Sequence, residues 1–134
     1  MATWDDVSGV VGALPETKEA RSKQGHRGWS VRTKSLAWER PLRPAERKAL
    51  GARAPDGPVL AVRVADVGVK EALEADEPEV FFTMPHYDGF AAILVRLERI
   101  SRPELDELLN EAWVLRAPKR LLKEHPDLVR GPRI

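Results

Sequence analysis

Three short apolar runs, at residues 59–64, 80–83 and 90–97, most constrain what this chain can fold into. Each has the length of a strand, and each is fenced by turn residues. Pro55-Asp56-Gly57-Pro58 precedes the first, Glu77-Pro78 the second, and Met84-Pro85-His86-Tyr87-Asp88-Gly89 separates the second from the third. The runs at 59–64 and 90–97 are almost wholly apolar, as central strands are. Helical patterns bracket them. Thr3 caps a first helix, with Asp5 and Asp6 in its first turn and Val7, Val10, Val11 and Leu14 along one stripe; Leu14-Pro15 ends it. Asp66 caps a second, running to about Ala75. Ser101-Arg102-Pro103-Glu104 opens a third, which carries Leu105, Leu108, Leu109 and Ala112, and Leu121 and Leu122 mark a last short one.

Residues 28–40 read as a β-hairpin. With Thr33-Lys34 at the turn, Trp29 faces Trp38 and Val31 faces Leu36, so these four share one side; Ser30, Arg32, Ser35 and Ala37 take the other. A short helix with Pro44 in its first turn follows. The order α, ββ, α, β, α, ββ, α, α predicts a two-layer α+β domain, an antiparallel β-sheet covered on one face by helices. One domain is expected over residues 1–125, with 126–134 as a tail.

Composition narrows the function classes. The 134 residues include no cysteine, which excludes disulfides, thiolate metal sites and cysteine nucleophiles. No apolar run approaches the ~20 residues that cross a bilayer, and the first residues lack a basic and then apolar leader, so a cytoplasmic protein is expected. There is no phosphate-binding glycine loop and no Gly-x-Ser-x-Gly elbow. The net charge is only +1, yet residues 21–53 hold ten Lys/Arg against two acids, and residues 54–112 hold five against thirteen.

The basic block coincides with the hairpin, and a basic hairpin with interleaved aromatics is one way to hold nucleic acid. Arg27, Arg32, Lys34, Arg40 and Arg43 are the candidate phosphate contacts, with Lys119, Arg120 and Lys123 extending the patch if the C-terminal helix lies near. Trp29 or Trp38 has two open roles: stacking on an unpaired base, or packing as core under the helices. The acids Glu71, Glu74, Asp76, Glu77 and Glu79 read as a solvated helix face, with a hard cation as the alternative. His86 and Tyr87, beside Asp88, form an alternative small-ligand or metal site, weighed against simple turn chemistry.

The residues also resemble a known family. The hairpin Trp29-Ser30-Val31-Arg32-Thr33-Lys34-Ser35-Leu36-Ala37, the strand Leu60-Ala61-Val62-Arg63-Val64, the helix holding Lys70, Met84-Pro85-His86-Tyr87-Asp88-Gly89, Glu111-Ala112-Trp113 and Ala117-Pro118-Lys119 follow in the order of the MmcQ/YjbR family, over nearly the whole chain. One departure is Thr33, where many members carry glycine before the lysine. The resemblance implies a fold like that of bacterial frataxin (CyaY), a "double-wing" DNA-binding role, and no catalytic activity. The expectation is a non-enzymatic DNA-binding protein without a cofactor, contacting phosphates largely without regard to sequence, as a monomer or weak homodimer. The alternative is a protein–protein or regulatory module with two oppositely charged faces.

Overall fold

The computed structural model describes residues 2–129. Five helices, α1 (Trp4–Gly12), α2 (Pro44–Leu50), α3 (Val67–Asp76), α4 (Arg102–Arg116) and α5 (Lys119–Glu124), accompany one six-stranded sheet. Its strands are β1 (Thr17–Arg21), β2 (Arg27–Val31), β3 (Lys34–Glu39), β4 (Val59–Arg63), β5 (Phe81–Phe82) and β6 (Ala92–Arg96). The spatial order is β1-β2-β3-β4-β6-β5, antiparallel at every pairing. The α+β class is the expected one. Among the described residues no helix is long and apolar enough to cross a membrane.

The caps act as their residue types dictate. The Thr3 hydroxyl accepts from the Asp6 amide while the Asp6 carboxylate accepts from the Thr3 amide. Asp66 and Ser101 cap α3 and α4 in the same sense. The long apolar runs become β4 and β6, paired Leu60↔Val95, Ala61↔Leu94 and Val62↔Ile93 at the sheet centre. Leu60, Val62, Ile93 and Val95 face the layer made by α1, α4 and α5, where Trp113 donates its indole N–H to the Pro15 carbonyl at 3.0 Å. Val59, Ala61, Ala92 and Leu94 face the opposite way, into a second, smaller apolar cluster with Phe82, Met84 and Tyr87. The sheet is therefore covered on both faces over β4–β6 and at Trp38 of β3, but on the helix face alone over the rest of β1–β3.

Three expectations are corrected. Residues 17–21 form an edge strand that periodicity did not disclose, because Thr-Lys-Glu-Ala-Arg alternates no apolar residues. Its hydrogen-bonded register with β2, from Thr17↔Val31 to Arg21↔Arg27, holds it, and its charges suit an edge. The hairpin turns at Arg32-Thr33 rather than Thr33-Lys34, with Arg32 carrying the left-handed φ of 55°. A bulge then puts Leu36 and Ala37 on β3 against Trp29, pairs Gly28 with Trp38, and sends Trp38 to the face opposite Trp29. Packing also continues past residue 125, where Leu128 lies on the helix-layer core. Residues 130–134 of the expected tail lie outside the described residues.

Where α3 ends, the Glu77 carboxyl hydrogen-bonds Glu104 in the first turn of α4. That bond, then burial, then the nearby charges of Glu104, Asp76 and Glu79 push Glu77 up to about 7 from 4.5. The folded state thus holds a proton that the unfolded chain has released, so stability falls as pH rises from about 4.5 to about 7. Glu77→Gln, which mimics the protonated acid, is expected to leave the melting temperature near that of the parent at about pH 4 and to raise it at about pH 8. Equal shifts at both pH values would remove the shared proton from the account.

Candidate nucleic-acid interface

The uncovered face of β1–β3 is the candidate surface. Strand alternation and the observed register lay two rows across it: Lys18, Ser30 and Ser35 in one, and Ala20, Gly28 and Trp38 in the other. Because most of these side chains are small, the rows sink into a shallow recess of about 390 Å³, with Trp38 among its lining residues and Arg21 and His26 from the β1–β2 end. Trp38 is half-buried, donates its indole N–H to the Tyr87 hydroxyl at 3.2 Å and lies 6.2 Å from the Phe90 ring. Phe90, 39% exposed, is among the few large apolar side chains left to solvent.

Lys70 presents these aromatics. It is 4% exposed, and its ammonium donates to the carbonyls of Tyr87 (2.5 Å) and Phe90 (3.1 Å), so α3 clamps the turn at residues 84–90. Burial holds the ammonium below the usual lysine range.

The candidate cations divide between the two ends of the hairpin, roughly 13 Å apart along β2. At the end away from the turn, Arg27 sits on the helix face beside Glu19 (3.6 Å) and Asp5 (3.9 Å). Arg40 makes a two-pronged bond to Glu46 at 2.7 and 3.1 Å, with side chains only 13% and 12% exposed. Burial raises the Glu46 carboxyl, but the bonds from Arg40 and from the Arg43 amide outweigh it and leave it below the ordinary range. At the turn end, Arg32 and Arg120 converge on Glu16 at 2.8 and 3.1 Å, and Arg120 also reaches Glu124. The hydrogen bond from Arg32, then that from Arg120, holds Glu16 below its usual value. These bonds bring Lys119, at the start of α5, to the hairpin end that carries Lys34.

Arg27, Arg32 and Arg40 are therefore already matched by carboxylates, whereas Lys34, Arg43 and Lys119 are exposed and make no ion pair among the described residues. Lys18, missed with its strand, joins the unpaired set on the open face. Trp29 is corrected: 2% exposed, stacked 6.0 Å from Trp4 and donating to Glu19, it is core and cannot meet a base without opening the fold. Trp38, expected on the same face as Trp29, lies on the opposite one; the bulge, which no spacing rule shows, parts the two. Tyr87 is corrected too. It is 5% exposed, with its hydroxyl and carbonyl both bonded, so the His86–Tyr87 pair is a turn with His86 outside rather than a ligand pocket. Among the described residues no three His, Asp or Glu side chains converge to hold a metal ion.

The chain matches the model of the family described as YjbR over residues 12–115. The uncharacterized proteins Mb2600 of Mycobacterium bovis and Rv2570 of Mycobacterium tuberculosis are each 53% identical to it over 126 residues, covering 92% of this chain and 95% of theirs. The crystal structure of the Deinococcus radiodurans protein DR2400, from the family DUF419, superposes with a TM-score of 0.66 at 21% identity, over 100% of this chain and 93% of that one. That likeness concerns the fold.

Proposed function

The chain belongs to the YjbR family, and from the open half of its sheet we propose that it is a non-enzymatic nucleic-acid-binding protein that takes a DNA strand across β1–β3. The observation that carries this reading is Trp38 beside Phe90 at the wall of a recess floored by Ala20, Gly28, Ser30 and Ser35. A flat ring over small residues gives an unpaired base a stacking platform, and Lys18, Lys34 and Lys119 offer unneutralised charge to the backbone. Binding through stacking and phosphates favours single strands and carries little base readout.

Anisotropy titration of a labelled single strand at two salt concentrations tests it. Affinity is expected to fall with salt, with a log–log slope of about −0.7 for each phosphate neutralised. Trp38→Ala is expected to weaken binding by about 1–3 kcal/mol, the scale of one stacked base. Binding that ignores salt, or that Trp38→Ala leaves unchanged, would end this reading.

A further inference from the structure

We propose that Arg63 and Arg116 form a receptor for a single phosphoryl group at the hairpin-turn end of the open sheet face, beside the Phe90 ring. Arg63 is the last residue of β4, and alternation from Val59 and Ala61 aims it away from the helix layer, to the side that carries Phe90 and borders the open face. Its guanidinium lies 5.1 Å from the Phe90 ring centre, and its buried Nε has no hydrogen-bond partner. Arg116 is the last residue of α4. It reaches the same strand ends from the helix layer, its Nε donating to the Ser35 carbonyl at 3.1 Å, and among the described residues its two terminal nitrogens have no partner.

Neither arginine has a counter-charge among the described residues, a state they share with Arg43 and Arg96, and of these Arg63 has a buried nitrogen without a hydrogen-bond partner. Arg27, Arg32, Arg40, Arg53, Arg102 and Arg120 all reach a carboxylate, whereas Arg63 and Arg116 reach none among the described residues. The register that sets Ala37 beside Val62 brings Ser35, and with it Arg116, to the end of β4 that carries Arg63, and burial first, then the charge of Arg116, holds Arg63 below its ordinary value. A tetrahedral oxyanion relieves that repulsion, and two planar forks suit its geometry. Phe90, with Trp38 6.2 Å beyond it, offers a flat apolar surface next to the anion. Together these fit a nucleotide, with its phosphate on the arginines and its base on the rings. The phosphate belongs to a free mononucleotide or to a strand; only the second source rests on the function proposed above.

The test uses the full chain, Arg63→Gln, Arg116→Gln and Arg116→Lys, with inorganic phosphate, thymidine monophosphate and a short oligothymidine as probes. Phosphate is expected to raise the melting temperature of the parent more than chloride at equal ionic strength, and thymidine monophosphate more than phosphate. Either glutamine variant is expected to bind about tenfold more weakly, with Arg116→Lys between them because it keeps the charge and loses the fork. Arg116 lies at the end of its helix, so its variant still reports if Arg63→Gln does not fold. An oligothymidine affinity that falls in parallel identifies a strand as the source. A parent that takes the monophosphate and no oligothymidine supports the receptor and overturns the strand reading. Phosphate no better than chloride, or equally good in the parent and both glutamine variants, overturns the receptor.

Discussion

Trp29→Ala is expected to cost about 3–5 kcal/mol of folding stability, the range for truncating a buried aromatic. Trp29 is 2% exposed, packs with Val31 and Leu36 under the helices, and stacks on Trp4 at an interplanar angle of 21°. Its indole N–H donates at 3.0 Å to Glu19, which also accepts from the Ser8 hydroxyl of α1. Truncation removes ring contacts, opens a cavity, and takes one of two donors from a carboxylate that ties the edge strand to the first helix. Denaturant unfolding should show a lower midpoint at an unchanged slope. Trp38→Ala provides the contrast: its ring is half-exposed, so less apolar area is lost and the larger effect is on ligand affinity. A loss below about 1 kcal/mol for Trp29→Ala would mean that the two tryptophans occupy the opposite faces from those described.

Lys70→Met is expected to cost about 2–4 kcal/mol while filling nearly the same space. Hydrogen bonds from a charged donor are worth more than neutral ones, and here two carbonyls, of Tyr87 and Phe90, lose their donor together. The loss should spread beyond stability. The turn at residues 84–90 holds the Tyr87 hydroxyl that accepts from Trp38, and it carries Phe90, so the aromatic wall should loosen and the Trp38 emission shift red. The pH dependence follows from the lowered lysine value. In the window just below 10.5 the folded state binds fewer protons than the unfolded chain, so the parent gains stability on the variant as pH rises through it. A variant as stable as the parent, with unchanged tryptophan emission, would show that the turn stands without its clamp.

The helix starts were legible because capping is local: Thr3 with Asp6, Asp66 with Val69, and Ser101 with Glu104 each act over three residues. β4 and β6 were legible because a strand covered on both faces carries a continuous apolar run. β1 was not, because an edge strand is held by backbone pairing that leaves no side-chain period. The candidate site suffered most. Arg32 meets Glu16 across sixteen positions, Arg120 meets Glu16 across 104, and Arg116 meets Ser35 across 81, so which cations remain free depends on which elements become neighbours.

Residue order alone determined the α+β class, the helix starts, the central strands and the unequal spread of charge, since each depends on propensity and periodicity within a few residues. Tertiary structure alone decided which tryptophan reaches solvent and which arginines lack a counter-ion. A single bulged residue reverses the facing of the β3 residues beyond it, and an ion pair exists only once distant segments have packed within a few ångströms.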